Sequence, residues 1–92
     1  MPSPDIPALL QAAARVAGHV GDPLWRPDID FMQAVALGTQ VQAYFYWDFD
    51  AGVAVVTHKP TGTTFSEPLE QDPGAAMQLA MLRLAASLAP LN

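Results

Sequence analysis

The segment QVQAYFYWDFDAG, residues Gln40 to Gly52, sets Tyr44, Phe45, Tyr46 and Trp47 in succession and adds Phe49 after one carboxylate. Successive side chains of a strand point to opposite faces of its sheet, so these rings cannot all enter one core. The segment suits one arm of a β-hairpin whose two faces are both lined with rings. As the first arm of a hairpin it directs Val41, Ala43, Phe45, Trp47 and Phe49 one way. Gln42, Tyr44, Tyr46 and Asp48 go the other. Asp50-Ala51-Gly52 suits a three-residue loop with the glycine in its left-handed position. That loop pairs Phe49 with Val53, Trp47 with Val55 and Phe45 with Thr57. On the reverse face it pairs Asp48 with Ala54, Tyr46 with Val56 and Tyr44 with His58. A slip of one residue would mix the two sets. Beyond His58, Lys59-Pro60-Thr61-Gly62 reads as a turn, and the Thr63–Glu67 segment reads as a short edge strand halted by Pro68.

Helices are expected on both sides of this meander. Ser3 is the expected N-cap of the first, with Pro4 at its first position and Asp5 beside the positive end of the dipole. Ile6, Leu9, Leu10, Ala13, Val16, Ala17 and Val20 follow a helical spacing, and Gly18 or Gly21 closes it. The last helix is expected to be capped by Asp72, begun by Pro73 and ended by Pro90. Ala76, Met77, Ala80, Met81, Leu84 and Leu88 form its main stripe, with Leu79, Leu82 and Ala86 flanking. Gln78, Arg83 and Ser87 are its polar positions. So wide an apolar sector implies burial on more than one side. Between the first helix and the hairpin, Asp28–Gly38 fits either a helix or a strand. As a helix it is capped by Asp28, carries Ile29, Met32, Val35 and Ala36 as its stripe and is closed by Gly38; the cap and glycine favour this reading. Trp25, in the Pro- and Gly-punctuated connector, reads as a lid over the core edge.

The result is an α+β fold in a single domain, 1–92, of order α-(α)-β-β-β-α. One sheet face carries Phe45, Trp47, Phe49, Val53 and Val55, and the other Tyr44, Tyr46, Ala54 and Val56. Neither face is polar in the manner of a wet antiparallel sheet. A helix–sheet–helix sandwich would cover both. In the alternative the helices share one face, and the Tyr44/Tyr46/Val56 patch stays open as an interface in a two-layer dimer.

Composition limits the function. Four basic residues against nine acidic ones leave a net charge of −5, and Arg15, Arg26, Lys59 and Arg83 are scattered, so the chain lacks the clustered cations that nucleic-acid binding needs. With no cysteine, a disulfide framework, a thiolate nucleophile and a thiolate metal site are all excluded. MPSPDIPALL has neither the basic nor the apolar region of a secretory signal, and no apolar run reaches membrane-spanning length, so a cytoplasmic protein is expected. No phosphate loop, zinc pattern, dinucleotide fingerprint or nucleophile elbow occurs. His19 reads as a helix C-terminal contact and His58 as a surface strand-end residue. The Asp28/Asp30 and Asp48/Asp50 pairs read as a cap and turn aspartates rather than metal ligands. No catalytic residue, metal or cofactor is expected.

WRPDIDFMQA, followed by strands and then DPGAAMQLAMLRLA, resembles the small phage domains known as the phage ABA sandwich. The matching positions are Trp25, Pro27, Asp30, Phe31, Pro73, Ala75 and Ala76, within about two-thirds of the chain; the long first helix departs from the pattern. The resemblance implies a sandwich and a phage or prophage origin, and no activity. The element order is also similar to that of double-stranded RNA-binding domains, but Gln71–Met77 lacks their basic helix start. The expectation is a non-enzymatic interaction module that forms a homodimer or binds a host protein. Its contact candidates are Trp25, Tyr44, Tyr46, Val56 and His58. The alternative is a small-molecule pocket between sheet and helix lined by Trp25, Tyr44, Tyr46 and His58.

Overall fold

A computed structural model describes residues 5–89 and has the order α1 (Ile6–Ala17), α2 (Phe31–Val41), β1 (Ala43–Asp48), β2 (Val53–His58), β3 (Thr64–Pro68) and α3 (Pro73–Ser87). The fold is α+β with one antiparallel sheet of strand order β1-β2-β3.

Caps set the helix ends. Asp5, expected only to face the dipole, is itself the N-cap of α1 and accepts the Ala8 N–H at 3.1 Å. Ser3 and Pro4 lie outside the described residues. Gly18, at φ 81°, closes α1 as the sequence indicates. The 28–38 ambiguity resolves as a helix with a different phase. Asp30, not Asp28, is the cap and accepts the Met32 and Gln33 N–H groups. The helix runs through Gly38 and takes in Val41, which the strand reading had placed in β1. Its buried side is Ala34, Leu37, Gly38 and Val41, while Ile29, Met32 and Ala36 of the expected stripe are exposed. Gly38 allows a close approach: a Cβ there would stand 2.5 Å from Met81 Cε, and the end of that flexible side chain would have to shift. Asp72 caps α3 and Pro73 begins it, as expected; Pro90 lies outside the described residues.

The hairpin is offset by one residue from the expected register. Asp48 pairs with Val53, Trp47 with Ala54, Tyr46 with Val55, Phe45 with Val56, Tyr44 with Thr57 and Ala43 with His58. The connection is a four-residue loop, Phe49–Gly52, closed by Gly52 N–H donating to the Asp48 carbonyl at 2.8 Å. Asp48 also accepts the Ala51 N–H at 2.9 Å, which draws Asp48 and Phe49 into the turn. Phe49 therefore leaves the core for the loop, where it is 72% exposed. The faces regroup. Ala43, Phe45, Trp47, Ala54, Val56, His58, Phe65 and Glu67 share the inner side. Tyr44, Tyr46, Asp48, Val53, Val55, Thr57, Thr64 and Ser66 share the outer side.

All three helices gather on the inner side, which answers the choice left open by the sequence: among the described residues no helix covers the outer face. α3 lies against β2 and β3, α2 beside β1 and α3, and α1 rests on the far side of α3. α3 is thus enclosed between the sheet and α1. This explains its wide apolar sector and the complete burial of Met77, Ala80, Met81, Leu82 and Leu84. Gln78, expected on the polar side, is buried too. With the carboxamide assigned the orientation that satisfies both neighbours, its oxygen accepts the Phe31 N–H (3.0 Å) and its nitrogen donates to the Gly74 carbonyl (3.2 Å), tying α3 to the first turn of α2. Gln40 donates to the Ala17 carbonyl at 2.8 Å and so joins α2 to the end of α1.

Candidate functional site

The inner aromatic residues of β1 are fixed from below. Phe31, at the start of α2, lies parallel to Trp47 (centroids 6.2 Å apart) and edge-on to Phe45 (6.3 Å). Trp47 completes the cluster against Phe45 at 5.6 Å, and its indole N–H donates to the Pro73 carbonyl at 2.8 Å. With Phe45 and Trp47 held inward, alternation turns Tyr44 and Tyr46 outward.

The outer face is a plane of three rows: Tyr44, Thr57 and Thr64; Tyr46, Val55 and Ser66; Asp48, Val53 and Pro68. The Thr57 and Thr64 hydroxyls share a hydrogen bond at 3.1 Å. Val55 is shielded by its neighbours, whereas Tyr44 and Tyr46 are each 49% exposed. Half-exposed phenols in a row present an apolar ring and a hydrogen-bonding tip, the combination enriched in contact surfaces.

The five candidate residues do not converge. Tyr44 and Tyr46 are outside the sheet. Val56, expected beside Tyr46 on the outer face, is completely buried inside; the one-residue register shift put it there. His58, expected on the surface, is also buried on the inner side. Its Nδ1 lies 2.8 Å from Thr61 Oγ1 in the following turn, and its backbone N–H donates to the Thr63 carbonyl at 2.8 Å. Trp25 is partly buried and packs against the core, away from the sheet residues. His19 stacks on it with centroids 5.1 Å apart, and His19 Nδ1 is 3.5 Å from Asp22. The cavities beside Trp25, about 340 and about 300 Å³, are lined by α1, the connector and α2, with no sheet residue. The pocket drawn from the sequence between Trp25, the tyrosines and His58 is therefore not formed.

The charged groups are engaged locally. Arg26 grips Asp28 with two bonds, Nε at 2.9 Å and Nη2 at 2.7 Å. The donated hydrogen bond is the larger cause that holds the Asp28 carboxyl below its ordinary value, against the smaller opposing effect of burial. Arg83 Nε is 3.1 Å from Glu67 Oε2, an ion pair whose angle is not that of a hydrogen bond, so its contribution is Coulombic. Glu67, Glu70 and Asp72 border a groove of about 590 Å³ at the start of α3. Among the described residues no group of three or more His, Asp or Glu is placed to hold a metal ion, and no helix is long and apolar enough to cross a membrane.

Sequence reasoning passed over the exposed side of α2 as a surface, because Ile29, Met32, Val35 and Ala36 read as core. The signal was present: Ala34, Leu37, Gly38 and Val41 recur at i, i+3, i+4 and i+7, and a glycine on that stripe marks close approach. No protein-family model matches the chain, and no curated protein or solved structure matches it either, so the resemblance to phage sandwich domains rests on its short segments alone.

Proposed function

We propose that this protein is a non-enzymatic interaction module, cytoplasmic and phage- or prophage-derived, that works by self-association or by binding a host protein through the outer face of its sheet. The observation that carries the reading is the uncovered tyrosine row. All three helices lie on the inner face, leaving Tyr44 and Tyr46 half-exposed on a plane that also contains Val53 and Val55. A sheet face meant only for water would carry charged residues, whereas Asp48 is the only one here, at a corner. The net charge of −5 favours a protein partner over nucleic acid. Sedimentation at micromolar concentration tests it. The wild type is expected to associate, and the Tyr44→Ser/Tyr46→Ser double variant to remain folded and monomeric. A wild type that stays monomeric overturns the self-association form of the proposal.

A further inference from the structure

The tyrosine face ends at an unguarded strand edge, and this edge gives the proposed association a geometry. Lys59 N–H donates to the Gln42 carbonyl at 2.9 Å, which sets the hydrogen-bonding parity of the hairpin. Tyr44, Tyr46 and Asp48 therefore exchange bonds with β2, while the Gln42 N–H turns back to α2, and Ala43, Phe45 and Trp47 direct their N–H and C=O groups away from β2. β1 is an edge strand, so no other strand among the described residues receives those groups. None of the turn and loop bonds among the described residues reaches them.

The opposite edge is protected. His58 N–H donates to Thr63, and Leu69 N–H donates to Gly52, so the outward residues of β3 are Thr64, Ser66 and Pro68. Pro68 lacks a donor and Glu67 brings a charge to the inner face, both of which discourage strand addition. β1 has no proline, lysine or bulge.

Apolar groups flank the free edge on both sides. Outside are Tyr44 and Tyr46. Inside is α2, where Phe31 turns toward β1 while Gln33 and Gln40 turn the other way, to Leu24 and Ala17. At about 100° per residue Val35 and Thr39 follow the side of Phe31, with Met32, 69% exposed, beside them. The exposed stripe of α2 thus borders the open strand.

Resting on the association proposed above, we infer that two copies join through antiparallel pairing of β1 with β1 of the second copy, about a twofold axis at Phe45, making one six-stranded sheet. All the free groups lie on alternate residues, so the inner face of one copy must continue into the inner face of the other. Centring on Phe45 engages every one of them: Phe45 pairs with Phe45, and Ala43 with Trp47, the small side chain against the large. On either side of the axis Tyr44 meets Tyr46, so four tyrosines form one cluster of two cross-strand pairs outside. Asp48 meets Gln42 rather than another carboxylate, which matters for chains that each carry −5. This self-complementarity favours a second copy over a foreign peptide. Area argues the same way. The strands of the outer face span roughly 14 by 20 Å, which is a part of the roughly 800 Å² per partner of a standard contact. Edge pairing adds the backbone and the flank of α2.

The experiment is amide hydrogen exchange of the full chain from dilute to concentrated solution, with sedimentation on the same samples. In the monomer the Ala43, Phe45 and Trp47 amides have no partner among the described residues. Where nine-tenths of the chains are paired, their exchange is expected to slow about tenfold, since only the open tenth exchanges. The chain has no cysteine, so cross-linking is clean. An equal mixture of Tyr44→Cys and Tyr46→Cys proteins is expected to form disulfide-linked pairs several-fold more readily than either alone, because directly opposed residues come within reach. A dimer whose three amides exchange as fast as in dilute solution overturns edge pairing while leaving association through the outer face standing. A monomer at every concentration overturns both.

Discussion

Gln78→Met separates a buried bridge from a solvated side chain. Glutamine and methionine have similar helix propensity and similar length, so the replacement changes little but the two hydrogen bonds. In the fold Gln78 accepts from Phe31 N–H, one of the four amides that α2 cannot satisfy internally, and donates to the Gly74 carbonyl. Each net bond contributes about 0.5–1.5 kcal/mol, and a buried group left without a partner costs about 1–3 kcal/mol. The apolar methionine end regains part of this, at about 0.8 kcal/mol per buried methylene-sized group. The balance is a loss of about 2 kcal/mol, a fall in Tm of roughly 8–16 °C for a domain of this size. Urea unfolding followed by circular dichroism should show a lower midpoint at an unchanged slope, and the Phe31 amide should exchange faster than in the wild type. A change within about 0.5 kcal/mol, with Phe31 exchange unaltered, is what an exposed residue would give, and it would refute the bridge.

Two further outcomes follow from the register and the ion pair. Phe49→Ser should be nearly neutral, within about 0.5 kcal/mol, because the ring is in the loop, whereas Val56→Ala should cost about 2 kcal/mol or more from the closed core. The reverse order in thermal melts would restore the three-residue loop. Arg26 lowers the Asp28 carboxyl in the folded chain, so their contact contributes stability fully above the ordinary carboxyl value of 3.8 and loses it as pH falls through the lower folded value. Asp28→Asn should flatten that acid limb of the stability curve; an unchanged limb in acid titration would assign it to other carboxylates.

Local chemistry made much of this molecule legible. Asp72-Pro73, Gly18 and the Lys59–Gly62 turn each act within a few residues, so their signals survive in the chain alone. The breadth of apolar surface on α3 likewise announced a helix enclosed on several sides. Other features depend on competition between nearly equal local choices. Asp28 and Asp30 are both acceptable caps. Asp28 went to Arg26, and Asp30 took the amides of Met32 and Gln33, which turned α2 so that Gly38 met Met81. A loop of three or of four residues suits the hairpin equally well until the core chooses. Phe31 and the Pro73 carbonyl hold Trp47, and with Trp47 opposite Ala54 every later residue of β2 changes its neighbour. The open tyrosine row belongs to this second group. Alternation along β1 separated Tyr44 and Tyr46 from Phe45 and Trp47 in the sequence itself. That no helix among the described residues covers them was decided only when α1 packed on α3 rather than across the sheet, because the wide apolar sector of α3 offers α1 a face of its own to bury.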